Sequence, residues 1–133
     1  MALTAVADAP LLLTLRFPPS KEIGKRVEEA ISREVVGRLL APSIVLTEFV
    51  KIAGARIGES AALLRLNLLK ERGMRVIPLG EDLAMVAGKL LLSHPDVPIA
   101  DALIASLVKT GDAEYVITDD PHYRDIGVRT KWV

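Results

Sequence analysis

Short apolar runs alternate with longer segments of helical periodicity along nearly the whole chain, and this rhythm restricts the fold more than any other feature. Leu3 to Ala7, ending at Asp8, "GRLLAPS", "MRVIPLG", "EYVITDD" and the closing "VRTKWV" read as extended pieces. Between them, Ile23, Val27, Ala30 and Ile31 mark one helix, opened by Ser20 as N-cap after the loop "FPPS". Leu46, Phe49, Val50, Ala53 and Ile57 trace a second, and "GES" introduces a third that runs to about Glu71 and stops at Gly73. Leu83, Val86, Ala87, Leu90 and Leu91 follow at i, i+3, i+4, i+7 and i+8. After "SHPDVP", "IADALIASLVK" is apolar nearly all round, as in a helix buried on more than one side. Strands alternating with helices predict an α/β fold whose mostly parallel sheet is flanked by helices on both faces.

The 133 residues, half of them hydrophobic, suffice for one domain spanning 1–133 and are too few for two comfortable ones. No stretch approaches the roughly 18 uncharged apolar residues of a membrane span, and no basic segment precedes an apolar run at the N-terminus. The expected location is the cytoplasm, with no membrane partner. Without cysteine there are no disulfides, thiolate nucleophiles or cysteine zinc sites. His94 and His122 are isolated and read as surface residues, so any metal is expected to be held by oxygen.

Ligands of such sheets gather at the carboxyl ends of strands, where Asp8 and the adjacent pair Asp119 and Asp120 fall. In "VITDDPHY" the pair also has a plainer role, because Asp120 suits the cap of a helix beginning at Pro121. Asp101 is a charge within an otherwise apolar helix and needs a partner or a metal, unless it serves only the helix N-terminus after Pro98. Glu48 lies off the apolar stripe of its helix, where periodicity alone leaves it solvated.

"AVADAPLLL", "LAPSIVLTEF", "PIADALIASL" and "VITDDPHY" resemble, in order and spacing, the four acidic motifs of PIN-domain proteins, particularly the VapC-like ribonucleases of prokaryotic toxin–antitoxin pairs. The resemblance spans almost the whole chain. Each motif is degenerate, so specificity lies in having all four in order. It implies a single PIN-like domain in which Asp8, Glu48, Asp101 and Asp120 are the catalytic, metal-binding acids. Thr118, Asp120 and Tyr123 match the pattern Thr-x-Asp-x-x-aromatic, with Thr118 supporting Asp120 and Asp119 at the variable position. The family usually places Thr or Ser after its first aspartate; here Ala9 and Pro10 follow Asp8.

Clustered carboxylates suit Mg²⁺ or Mn²⁺, and such a site hydrolyses phosphodiesters without a histidine base. The expected activity is therefore a metal-dependent endoribonuclease; a PIN scaffold without catalysis is the rival. A dehalogenase-type phosphatase would need Asp-x-Asp after the first strand, which Asp8-Ala9-Pro10 lacks. The net charge is zero but uneven: Arg16 to Arg75 carries 12 Lys/Arg against 7 Asp/Glu, and Val76 onward 5 against 9. Lys51, Arg56 and Arg65 in the basic stretch are candidate RNA phosphate contacts, alongside their ordinary role in solubility. With aromatics at 4%, base stacking is not expected to dominate. The resemblance also implies an antitoxin partner, and a homodimer is expected to cover a second apolar set on Glu48's helix, Val45, Ile52 and Ala55.

Overall fold

Ala5, Val6 and Ala7 point alternately to opposite sides of a strand, yet all three are completely buried. Both faces of the sheet are therefore covered here, which is why a strand without polar alternation is stable. Leu39–Pro42 and Tyr115–Ile117 are likewise buried at every position.

The computed structural model describes residues 4–34 and 38–132, and of Glu34 only the backbone. Leu3, Gly37 and Val133, which the sequence reading places in or beside strands, lie outside the described residues. In chain order the elements are β1 (Ala5–Ala7), α1 (Ala9–Arg16), α2 (Lys21–Glu34), β2 (Leu39–Pro42), α3 (Ser43–Ile57), α4 (Glu59–Glu71), β3 (Arg75–Ile77), α5 (Glu81–Ser93), α6 (Ile99–Lys109), β4 (Tyr115–Ile117), α7 (His122–Asp125) and β5 (Thr130–Lys131). The strand order is β3-β2-β1-β4-β5. Every pairing among the described strands is parallel, so the expected α/β architecture forms.

Local chemistry explains most helix ends. The Ser20 hydroxyl accepts the Ile23 N–H at 3.1 Å, capping α2 as expected. Gly73, at a φ of +114°, ends α4 by turning the chain through a backbone conformation that side chains disfavour. α6 packs on α5, α3 and β4 and buries Ala102, Ile104, Ala105 and Leu107, in keeping with its nearly all-round apolar sequence.

Two expectations change. The periodicity reading has no helix between Asp8 and the "FPPS" loop, and the structure adds α1. Its leucines are adjacent rather than spaced, so no stripe announces it; the signals are the cap at Asp8 and the proline in its first turn. Val45, grouped by spacing with Ile52 and Ala55, is fully buried, because α3 starts directly after β2 and its first turn lies against that strand. Ile52 and Ala55 remain exposed.

β1 is flanked by β2 on one side and β4 on the other, so the chain reverses its direction of winding between them. The crevice outside the carboxyl ends of β1 and β4 is the natural ligand position of such a sheet. Phe49 is 1% exposed and anchors α3 in the core. Phe49→Ala should cost about 3–5 kcal/mol, measured as a lower urea midpoint at unchanged slope.

Candidate metal centre

β1 and β4 pair in register, Ala7 opposite Ile117, so the residues that follow them emerge side by side. The Thr118 hydroxyl donates to Asp8 Oδ2 at 2.5 Å, and Asp8 Oδ1 accepts the Leu11 N–H at 2.9 Å. Asp8 thus caps α1 and presents a carboxylate at the crevice in one conformation. It is 2% exposed. Burial pushes its pKa up to about 7; the bonds from Thr118 and Leu11 oppose this, while Asp119 and Asp101 add repulsion.

Beyond β4 the backbone is folded by its own side chains. Thr118 Oγ1 accepts the Asp120 N–H at 3.1 Å, and Asp120 Oδ1 accepts the His122 N–H at 2.9 Å. The capping role expected of Asp120 is thus present in part, on the first residue of α7. Asp101 arrives in the first turn of α6. One ligand atom each from Asp101, Asp120 and His122 lies within 4.8 Å of the others.

His122 Nδ1 is 2.9 Å from Asp120 Oδ1 and 3.3 Å from Asp101 Oδ2. Even so, His122 Nδ1 and Asp101 Oδ2 are buried atoms with no hydrogen-bond partner among the described residues. The distances are those of an ionic contact, but the angles are not those of a hydrogen bond, and the angles decide what these atoms need. The three side chains thus lie close enough together to share one ion. Two carboxylates and an imidazole nitrogen so placed fit a divalent cation. Burial first, then the Asp120 charge, raise the Asp101 pKa to about 6 against the pull of His122. Tyr123 is fully buried and its hydroxyl lies 3.4 Å from Asp101 Oδ1. Burial and three nearby carboxylates push its phenol far above the ordinary range, so it stays a proton donor.

Asp8, Asp101 and Asp120 therefore meet at the carboxyl end of the sheet, Asp8 adjoining the three-residue ligand group without belonging to it. Glu48, half-buried on α3, lies outside that group and makes no hydrogen bond or ion pair among the described residues. Asp119 is exposed and lines a neighbouring depression. Lys51 is exposed on α3, the Arg56 guanidinium lies 3.8 Å from the Phe17 ring centre, and Arg65 lines a separate cavity with Phe49 and Leu68.

His122 corrects the sequence reading twice. Its side chain is 45% exposed, as a surface histidine's would be, but Nδ1 is buried among the acids and adds nitrogen to a site expected to offer oxygen alone. The overlooked signal is the step from Asp120 through Pro121 to His122, short enough to fold the ring back over the carboxylate. No hydroxyl follows Asp8, and the one that reaches its carboxylate is that of Thr118, beyond the adjacent strand.

Asp8 and Asp101 hold protons more tightly in the folded chain than in the unfolded one. Their contribution to stability is complete below about pH 4 and is lost as pH rises through about 6 and 7. In EDTA the melting temperature should therefore fall across pH 4 to 7.5 on their account, and Asp8→Asn, which keeps the cap, should flatten the fall. A profile identical in parent and variant would contradict the burial argument.

The sequence matches the PIN domain profile over residues 17–128. No curated protein matches it. Among solved structures it is similar to VapC20 of Mycobacterium tuberculosis, a sarcin-ricin-loop-cleaving toxin, with a TM-score of 0.77 and 16% identity over 94% of this chain and 96% of that one. It is also similar to VapBC2 from Rickettsia felis bound to a promoter DNA fragment, with a TM-score of 0.74, 15% identity and 98% of each chain covered. DNA-bound VapBC from Salmonella typhimurium gives a TM-score of 0.74 and 18% identity, again over 98% of each chain. At such identities the likeness is one of fold. The profile, however, covers most of the sequence and runs through three of the four acidic motifs, and the chain belongs to the PIN-domain family.

Proposed function

We propose that this protein is a divalent-metal-dependent endoribonuclease that hydrolyses RNA phosphodiester bonds, the toxin of a toxin–antitoxin pair acting in the cytoplasm. The observation that carries the reading is the clustering of Asp101, Asp120 and His122, whose ligand atoms lie within 4.8 Å of one another, in a PIN fold. These three would hold Mg²⁺ or Mn²⁺, with Asp8 and Glu48 as the remaining acids of the site. Such a cation, when bound, makes a water more acidic and offsets charge on phosphate oxygens.

The chain's own residues do the positioning. Thr118 donates to Asp8 and accepts from the Asp120 backbone, so one side chain fixes two of the acids. The protonated Tyr123 hydroxyl steadies Asp101. Lys51, Arg56 and Arg65 would meet RNA phosphates on the α3 and α4 side.

Partners follow from the surface and the relatives. Structural neighbours are toxin–antitoxin complexes, some on DNA. Ile52, Leu63, Leu64 and Leu68, on α3 and α4, are each more than 40% exposed, an apolar surface that an antitoxin or a second copy in a homodimer would cover. No helix among the described residues is long and apolar enough to cross a membrane. The rival reading, a PIN scaffold that binds without cleaving, is favoured by one observation: Glu48 stands outside the ligand group.

The purified protein should cleave single-stranded RNA with Mn²⁺ or Mg²⁺ and stop in EDTA. Asp101→Asn should lose more than about a hundredfold, since removing even outer-shell partners of a metal site costs 10–100-fold. Cleavage that survives EDTA would refute the metal-dependent reading, and RNA binding without cleavage would establish the scaffold.

A further inference from the structure

Two depressions flank the acidic group, and they differ in charge. One is lined by His94, Asp96, His122 and Asp125, and its carboxylates repel a phosphate chain. The other, of about 760 Å³, is lined by Thr118, Asp119, Arg124, Arg129, Lys131 and Trp132. Thr118 is the residue whose hydroxyl holds Asp8, so this second depression opens from the edge of the acidic group itself.

Its chemistry suits a polyanion with flat bases. Its lining includes three basic residues, Arg124, Arg129 and Lys131, and one acidic residue, Asp119. Arg124 and Arg129 are exposed and have no ion-pair partner among the described residues. Lys131 adds its charge with Nζ 5.9 Å from the Tyr115 ring centre. Trp132 is half-buried against the core, which fixes the ring, while its remaining surface lines the depression. The volume falls within the roughly 300–1,000 Å³ of small-ligand sites, room for a nucleotide. Single-stranded nucleic acid is held without sequence readout by just this pairing of cations with a stacking ring.

We infer that the RNA flanking the cleaved bond runs over this depression, one base stacking on Trp132 and the adjoining phosphates meeting Arg124 and Arg129; the inference rests on the ribonuclease reading. Aromatic scarcity does not oppose it, because one fixed ring serves one base. The acidic depression on the other side gives the strand no comparable path.

Trp132 is the sole tryptophan, so its emission reports on this depression without mutation of a residue that also supports the core. A single-stranded RNA of about ten nucleotides, within the usual site size, is titrated into the whole protein in EDTA. Trp132 emission is recorded alongside the anisotropy of the same RNA carrying a dye. Emission should change saturably in step with anisotropy. The double variant Arg124→Glu, Arg129→Glu should bind about tenfold more weakly or worse, with its salt slope reduced by roughly 1.4 for two lost single-strand contacts.

Binding that leaves Trp132 emission unmoved, or that the double variant retains with its salt slope, would overturn the inference. If Mn²⁺-dependent cleavage is present alongside that result, the ribonuclease reading survives alone. Emission that tracks binding in a protein that never cleaves keeps the RNA path and removes the nuclease. Absence of RNA binding in EDTA overturns the RNA path, and Mn²⁺-dependent cleavage then decides the ribonuclease reading by itself.

Discussion

Burial of like charges at the mouth of the sheet is the constraint around which this molecule is arranged. Asp8 and Asp101 are drawn out of water near Asp120, and burial raises the pKa of the first two. Parallel pairing of β1 with β4 brings Asp8 and Thr118 to the same end, which an antiparallel pair would not do. The Thr118–Asp8 bond then joins the two strands beyond their last backbone pairing. α1 takes its cap from the same carboxylate, so one side chain serves both the site and the first helix.

Such a cluster of acids is unfavourable for the fold, and the core must offset it. Asp8 and Thr118 are each only 2% exposed, and they sit beside strands buried on both faces. A site held in place at a cost to stability is what selection for function leaves behind. An acidic mouth also repels the substrate proposed for it. The attraction must come from cations beside the mouth rather than inside it, and the arginines of α7 and of the segment before β5 stand there. Charge alternation over a short span, acids at the mouth and basic residues beside it, is thus compatible with a net charge of zero.

Much of this was legible in the sequence, for identifiable reasons. α2, α3 and α5 announce themselves because each buries one stripe, α4 by its start at "GES" and its stop at Gly73, and α6 by being apolar nearly all round; the order of strands and helices leaves a parallel sheet as the economical solution. The positions of Asp8, Asp101 and Asp120 follow from the ends of those elements. α1 is hidden because adjacent leucines carry no period and its start depends on a side-chain bond. His122 is hidden because exposure varies within its ring: the residue looks superficial while Nδ1 is buried. Val45 shows that spacing cannot tell a second exposed face from a first turn seated against a strand. Glu48 matches a motif, yet it stands outside the ligand group and bonds to no described residue, so the motif match alone does not place it at the acids.

The most direct measurement is a set of melting curves with and without Mn²⁺ for the parent, Asp120→Asn and Asp119→Asn. Removing one charge from the buried group should raise the melting temperature of metal-free Asp120→Asn. Mn²⁺ should stabilise the parent by about RT ln(1 + [L]/Kd), roughly 2.7 kcal/mol at a hundredfold excess over Kd, and Asp120→Asn should lose most of that gain. Asp119→Asn, altered at an exposed position, should keep it. Equal responses to Mn²⁺ in the parent and Asp120→Asn would mean that Asp120 merely caps a turn and that these acids hold no metal.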